Sequence, residues 1–173
     1  VSERLKEDLH TRRAVAQIWD PNDLNKESKD LACNMTLVFR FINARLDMTV
    51  YNRSNDLICG GVTGANITNL PIFLEYVAAM ADIPPGRLHV ISNNPHVYLD
   101  NPKTELLFKK YCSNIITPHH LIEDLYETNE VHPYPLVTDI KTFEYELFWF
   151  VNRIRNNEDV PKVKHHNTYF GEV

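Results

Sequence analysis

Alternating apolar and polar positions predict a β-hairpin in the first third of the chain. The segments MTLVFRFI and RLDMTVYN both alternate, and Asn43-Ala44 stands at the turn between them. Arg40, Asp47 and Thr49 interleave with apolar neighbours, which is the period of a half-buried strand. Further along the chain, RLHVIS predicts another strand.

Helical spacing predicts most of the other elements. Apolar positions from Asn66 to Met80 recur three and four residues apart, and Pro84-Pro85-Gly86 ends that helix. Residues Val1 to Trp19 indicate a helix or a loop that enters one, and Pro102 to Tyr111 indicate a further helix. HHLIEDLYE is typical of a helix, and FEYELFWFVNRI fits an aromatic helix or buried strand whose rings we expect in the core. This order predicts an α+β domain with a mixed or antiparallel sheet.

Composition narrows the class of protein. At 173 residues the chain has the length of one domain, and 43% hydrophobic with 24% charged residues is ordinary for a globular protein. The apolar runs are short and interrupted by charge, so we expect no membrane span. A net charge of −5 argues against dependence on a nucleic acid, although a few arginines can hold one phosphate. Because the chain opens on Val1 and stops at Val173 without an evident terminus, we expect residues to be missing at one or both ends.

Cysteine and histidine usage indicates a cytoplasmic protein without a metal site. Cys33, Cys59 and Cys112 are far apart and no CxxC pair exists, so a disulfide framework is not expected. The side chains of the adjacent pairs His119-His120 and His165-His166 diverge on a helix or a strand. The sequence also contains neither HExxH nor a phosphate-binding glycine loop.

Cys33 and Arg53 are the first candidates for chemistry. An ordinary cysteine thiol has a pKa of ~8.5 and needs a nearby cation to act as a nucleophile. The two residues lie about equally far from the predicted turn, so the hairpin brings them close together. Alternatively, Cys33 is a small buried hydrophobic residue, which is the commoner role, and Arg53 is a solvated strand end with a surface ion pair.

Other polar residues offer groups for binding. Asn66 opens the long helix, either as a cap or as an amide that reads a uracil edge, where a ring N–H donor stands beside a carbonyl acceptor. His96 and Tyr98 alternate in an extended segment and point to one side, so they bind a sugar hydroxyl or form a half-buried pair. Arg12-Arg13 is a basic helix face or a phosphate site.

Together, and in this order, the motifs resemble the thymidylate synthase superfamily. The resemblance rests on RRAVAQIWDPNDL, DLACNMTLVFRF, LDMTVYNRSNDL, GAN at the start of a helix, and HVISNNPHVYLDN, and RSND is the sharpest match. It covers the chain from Thr11 to Asn101. The Pro-Cys-His of true thymidylate synthases is absent, because Cys33 is followed by Asn34. In this respect the chain is similar to the phage-type deoxyuridylate and deoxycytidylate hydroxymethylases.

The resemblance implies a role for each matching residue. Cys33 matches the catalytic nucleophile, Arg53 the phosphate-binding arginine near the thiolate, and Asn66 the residue that reads the pyrimidine edge. The other matches are Ser54 beside that arginine, Asp56 on the folate side of the pocket, His96 and Tyr98 at the deoxyribose 3′-hydroxyl, and Arg12 and Arg13 at the phosphate of the partner's nucleotide.

The same resemblance implies a fold and a reaction. It implies one domain over residues 1–173 that lacks its N-terminal part, with a mixed sheet packed with helices and a homodimer through the sheet with shared active sites. The reaction would be C5 hydroxymethylation of a pyrimidine deoxynucleotide, above all dUMP, through a Cys33–C6 adduct, with 5,10-methylenetetrahydrofolate as co-substrate. The alternatives are reductive methylation of dUMP to dTMP and a non-catalytic nucleotide-binding relative.

The sequence departs from the family's pattern at three places. Val38 and Asn93-Asn94 replace the usual Gln and Gly-Asp. An ungapped alignment places Gly64 where Asn66 is expected, and the two additional residues then belong to the GGVTG loop. Asn66 at this place favours uracil, whereas an Asp would suit cytosine, which carries an amino donor and an unprotonated ring nitrogen.

Overall fold

The computed structural model of the protein describes residues 1–28, 31–58, 65–111 and 136–158. Its elements are, in chain order, α1 (Ser2–Glu7), β1 (Val15–Gln17), β2 (Asn34–Ile42), β3 (Arg45–Asn52), β4 (Asn55–Asp56), α2 (Ala65–Ala81), β5 (Pro85–Ser92), β6 (Pro95–His96), α3 (Pro102–Tyr111) and α4 (Ile140–Arg155). A 3-10 helix, Pro21–Asn25, lies between β1 and β2.

The predicted hairpin is present and has a tight turn. β2 and β3 pair in antiparallel fashion, with Val38 opposite Thr49. Asn43 and Ala44 form the turn with φ angles of 50° and 59°. Two consecutive left-handed residues match the twist of the flanking strands, so this turn fixes the register of the hairpin.

A mixed sheet is the centre of the fold. It contains four strands in the order β1-β2-β3-β5, and β4 and β6 form a separate pair. β3 and β5 are parallel, and parallel neighbours need a crossover connection, which α2 supplies. The predicted α+β class, the mixed sheet and the strand RLHVIS are confirmed.

The N-terminal segment is helical for only six residues, Ser2–Glu7, and a strand follows it. The prediction of a helix, or of a loop that enters one, over Val1 to Trp19 is therefore wrong beyond Glu7. Asp8 is extended and its carboxylate accepts a hydrogen bond from the backbone N–H of His10 at 2.9 Å, which ends the helix. Val15–Gln17 then pairs with β2 as an edge strand. Pairing with a neighbouring strand has overridden the weak helical spacing of this segment.

The core lies between one face of the sheet and α2. Buried side chains of the sheet pack there against buried side chains of the helix; they are Leu37, Phe39, Leu46, Met48 and Val50 from the strands and Leu70, Leu74, Val77 and Ala78 from α2. Leu5 of α1 joins the same cluster. Along β3 every second residue from Leu46 to Asn52 is buried, so Asn52 shares the core face with three apolar residues.

The last two helices agree with the sequence in position but not fully in burial. α3 spans the predicted residues, and the aromatic segment forms a helix that Asp139 caps by accepting from the Thr142 N–H at 2.8 Å. Phe143 is buried, but Tyr145 and Phe148 are 72% and 71% exposed, so the prediction that they belong to the core is wrong. The prediction for HHLIEDLYE lies outside the described residues. Among the described helices, none is long and apolar enough to cross a membrane.

Candidate active site

Cys33 and Arg53 lie side by side at the open end of the hairpin. The backbone N–H of Arg53 donates to the carbonyl oxygen of Cys33 at 3.0 Å. Cys33 precedes β2 and has a half-buried, free thiol. The proximity that the hairpin predicts is therefore present.

The guanidinium of Arg53 is held in one orientation. Its Nε donates to the carbonyl oxygen of Ala32 and its Nη2 to that of Leu31, both at 3.0 Å. The ring of Trp19 lies against the guanidinium, 5.1 Å from Cζ to the ring centroid. The Cys33 Sγ lies 4.0 Å from the same Leu31 oxygen, so thiol and guanidinium converge on one carbonyl. The remaining guanidinium donors can serve an anion beside the thiol.

Ser54, His96 and Tyr98 form a second group next to the first. β4 and β6 pair in parallel, which places Asp56 opposite His96. The Nδ1 of His96 lies 3.1 Å from the carbonyl oxygen of Asn94 and 3.5 Å from the Ser54 Oγ. The Tyr98 ring meets the His96 ring edge to face at 4.9 Å. If Nδ1 donates its proton to the carbonyl, Nε2 is left as an acceptor for a hydroxyl.

Asn66 lies beside the residue that follows the thiol. It is the second residue of α2, and its Oδ1 accepts from the Nδ2 of Asn34 at 3.5 Å. Asn34 comes directly after Cys33. One hydrogen bond thus joins the start of β2 to the start of α2.

The remaining candidates are Asp56, Arg12 and Arg13. Asp56 is half-buried in β4, and its Oδ1 accepts from the backbone N–H of Ile58 at 3.0 Å. Arg12 and Arg13 are exposed between α1 and β1. In the described part of the chain, no hydrogen bond or ion pair joins Arg12 or Arg13 to Cys33 or Arg53.

A family model described as thymidylate synthase matches residues 1–111. The chain belongs to the thymidylate synthase family. Two similar curated proteins are both named deoxyuridylate hydroxymethyltransferase. The one from Bacillus phage SP01 is 35% identical over 167 residues, which are 92% of this chain and 43% of the relative. The one from Pseudomonas phage M6 is 36% identical over 151 residues, 86% of this chain and 42% of the relative.

Solved structures agree with this family assignment. The crystal structure of thymidylate synthase from T4 phage superposes with a TM-score of 0.52 and 28% identity, covering 61% of this chain and 36% of that one. The chain therefore spans less than half the length of the curated relatives and of the solved structure that it matches.

Trp19 and the buried Asn52 belong to the surroundings of this candidate site but were not singled out from the sequence. Asn52 and Asn55 flank Arg53 and Ser54 and are 2% and 5% exposed. A sequence signal for Asn52 existed, since it continues the apolar row of β3 with a polar residue. Trp19 had no such signal, because its contact with Arg53 joins residues 34 positions apart.

Metal ions in proteins are bound by sets of ligating side chains. Within residues 1–28, 31–58, 65–111 and 136–158, no three side chains of His, Cys, Asp or Glu come together in a way that would hold a metal ion.

Proposed function

We propose that the protein catalyses the folate-dependent C5 hydroxymethylation of dUMP through a covalent bond between Cys33 and C6 of the base. The convergence of the Cys33 thiol and the Arg53 guanidinium on the Leu31 carbonyl carries this proposal. The names of the two phage relatives support the hydroxymethyl product.

Arg53 serves two purposes in this scheme. Its remaining guanidinium donors bind the nucleotide phosphate. It also shares the Leu31 carbonyl with the Cys33 thiol, which keeps a positive charge beside the nucleophile. Addition of the thiolate to C6 makes C5 a nucleophile towards the one-carbon unit. The two carbonyl contacts of Arg53 hold the guanidinium before substrate arrives, so less freedom is lost on binding.

The amide of Asn66 favours a uracil base. Its Oδ1 already accepts from Asn34, which fixes the amide with oxygen towards β2 and Nδ2 free to donate. An amide oxygen has two lone pairs, so Oδ1 can also accept the ring N–H at N3 while Nδ2 donates to O4. The same orientation opposes the ring acceptor N3 of cytosine with a second acceptor.

The pair His96 and Tyr98 is suited to the deoxyribose 3′-hydroxyl. The Nε2 of His96 is an acceptor when Nδ1 donates to Asn94, and the phenol of Tyr98, 54% exposed, is available beside it. Ser54 would add a hydroxyl to the phosphate side of the same group.

Methylenetetrahydrofolate would supply the one-carbon unit. Asp56 is the residue of this chain that would lie on the folate side of the pocket, where a carboxylate can accept from ring N–H donors. Asp56 lies opposite His96 in the parallel pair of β4 and β6, which places it next to the sugar-binding pair.

The sheet supports a homodimer in which the two active sites are shared. Among the described residues, the sheet face opposite α2 exposes apolar Val15, Tyr51 and Ile91 by 43%, 42% and 50%. Tyr51 and Ile91 are neighbours in the parallel register. An apolar patch of this kind on a sheet face fits a self-complementary interface. Arg12 and Arg13 of one protomer would then bind the phosphate in the other.

The test is incubation of the intact protein with dUMP and methylenetetrahydrofolate labelled in the one-carbon unit, followed by identification of the nucleotide product. The proposal expects hydroxymethyl-dUMP and a Cys33 adduct detectable by mass spectrometry. A labelled dTMP product would establish the methylation alternative instead. Binding of dUMP with no product and no adduct at Cys33 would establish a non-catalytic relative.

A further inference from the structure

Three asparagines carry amide atoms that are buried without a hydrogen-bond partner in the described part of the chain. The atoms are Asn34 Oδ1, Asn52 Nδ2 and Oδ1, and Asn55 Oδ1. We call Asn34, Asn52 and Asn55 the amide cluster. Turning over an amide exchanges its oxygen and nitrogen, so the unpaired state of Asn52 does not depend on how its amide is assigned. A buried polar group without a partner costs free energy, so polar molecules from solvent are expected at these atoms.

A β-bulge brings Asn34 into this cluster. In the ladder, Thr36 lies opposite Tyr51 but Asn34 lies opposite Asn52, so Met35 is the extra residue. Directly opposed side chains share a face, and the bulge therefore turns Asn34 to the core face on which Asn52 lies. The Met35 carbonyl is held by the backbone N–H groups of Ile18 and Trp19.

Ser92, the last residue of β5, lies between two members of the amide cluster. Asn52 of β3 lies opposite Ser92 of β5 in the parallel register. The Oγ of Ser92 accepts from the Nδ2 of Asn55 at 3.0 Å. The Oδ1 of Asn55 is therefore the atom of this amide that has no partner among the described residues. Several donors and acceptors at adjacent sites satisfy the requirement of a buried water for two to four polar partners.

The position of the cluster relative to the proposed substrate follows from the contacts of Asn34. Asn34 is next to Cys33 in the chain, and its Nδ2 donates to the Oδ1 of Asn66. In the proposed complex Cys33 is bonded to C6 and Asn66 reads N3 and O4. In the ring, C5 lies between C6, which Cys33 binds, and C4, whose oxygen Asn66 reads. Because Asn34 lies between Cys33 and Asn66, the one-carbon group on C5 lies on the side of the base that faces Asn34.

We propose that the amide cluster holds ordered water beside Cys33 and that this water supplies the oxygen of the hydroxymethyl group. The proposal rests on the proposed function. Before this step C5 has bonded to the one-carbon unit, and tetrahydrofolate and the C5 proton have left, so the adduct carries an exocyclic methylene group on C5. The water oxygen bonds to this methylene carbon, and the electron pair of the double bond between C5 and the methylene carbon moves onto the C4 carbonyl. The resulting enolate re-forms the C5–C6 double bond and breaks the bond to the Cys33 sulfur. The proton that water loses goes to the thiolate, so adduct and water give product and free thiol.

The test compares two readouts of one turnover. Release of tritium from C5-tritiated dUMP reports the steps before water adds, and hydroxymethyl-dUMP reports the steps after it. Asn52→Leu extends the apolar row of β3, so we expect it to fold, which thermal unfolding checks. In this variant the hydroxymethyl product per tritium released should fall at least about fivefold, the loss expected when one hydrogen bond to water is removed.

Matched variants separate this effect from a structural one. Asn52→Thr keeps a polar group that can bind water and should restore most of the ratio. Asn69→Leu removes an exposed amide of α2 and should leave the ratio unchanged. If Asn52→Leu lowers both readouts in parallel, the cluster has no role in the water step and the proposal is wrong.

A second measurement is independent of activity. A high-resolution crystal structure of the intact protein should contain ordered water within hydrogen-bond distance of the Asn52 amide, and density without water there would overturn the proposal. If the wild-type protein releases no tritium from dUMP, the proposed function itself fails and the catalytic step fails with it. Tritium release with an unchanged ratio in Asn52→Leu contradicts the water step alone.

Discussion

Arg53 donates its backbone N–H to the carbonyl oxygen of Cys33 at 3.0 Å, while its side chain reaches back to the two preceding carbonyls. Three hydrogen bonds thus tie the strand that carries the cation to the segment that carries the thiol. The consequence is that the guanidinium is placed by the backbone of residues 31–33 and does not depend on a flexible side-chain partner.

Replacement of Arg53 by Lys keeps the charge but removes the planar fork. A lysine ammonium cannot donate to both carbonyls and to a phosphate in the same geometry. We expect kcat/KM for dUMP to fall about 10- to 100-fold, the cost of losing a charged hydrogen bond. Arg4→Lys is the control, since Arg4 forms an exposed ion pair with Glu7 in α1. Equal activity of Arg53→Lys and wild type would contradict the assigned role.

Trp19→Leu tests the ring that lies on the Arg53 guanidinium. A cation–π contact at a partly exposed site contributes about 0.5–1 kcal/mol, so we expect KM for dUMP to rise about two- to fivefold with a smaller change in kcat. Trp19→Phe keeps an aromatic face and should lie closer to the wild-type value. A change in kcat with KM constant would show that Trp19 acts on another step.

Local patterns in the sequence were sufficient for the hairpin, the long helices and β5, and for the pairing of Cys33 with Arg53, because hairpin register follows from alternation and a turn. They were not sufficient for Val15–Gln17, whose strand exists only through pairing with β2. Nor could they place Asn34, because its face is set by the bulge at Met35. Contacts between distant segments, such as Trp19 with Arg53, have no local signature.

Asn66→Asp should change the preferred base. A carboxylate accepts but does not donate, so it loses its partner at O4 of uracil and gains one at the amino group of cytosine. A well-placed pair of base contacts discriminates by about 1–3 kcal/mol, so the ratio of kcat/KM for dCMP to that for dUMP should rise about 5- to 150-fold. Asn69→Asp, an exposed position of the same helix, is the control. An unchanged ratio would mean that a residue other than Asn66 reads the base.

Mixing two inactive variants tests the shared active site. In a heterodimer of Cys33→Ser with the double variant Arg12→Ala, Arg13→Ala, one site retains an intact Cys33 together with intact arginines from the other protomer. Random exchange of subunits makes half of the dimers heterodimers, so we expect about one quarter of wild-type activity after mixing. Arginines that act within their own chain would give no recovery, and so would a monomeric protein, which size-exclusion chromatography with light scattering identifies.

The contact between α2 and α4 predicts a stability change at alkaline pH. Tyr76 donates to Glu144 at 2.6 Å, and this hydrogen bond, with burial, raises the pKa of Tyr76 from 10.0 to about 12. Between these values the unfolded chain loses the phenol proton while the folded chain keeps it. The stabilisation is therefore complete below pH 10 and declines as pH rises towards about 12.

Tyr76→Phe should remove this part of the pH dependence. We expect urea unfolding of wild type to lose stability as pH rises from 10 towards about 12, and that loss should be smaller in Tyr76→Phe because the variant has no phenol to ionise. Tyr145→Phe alters an exposed ring of α4 and should follow the wild-type profile. If Tyr76→Phe and wild type lost stability in parallel across this range, the hydrogen bond between Tyr76 and Glu144 would not contribute to holding α4 on α2.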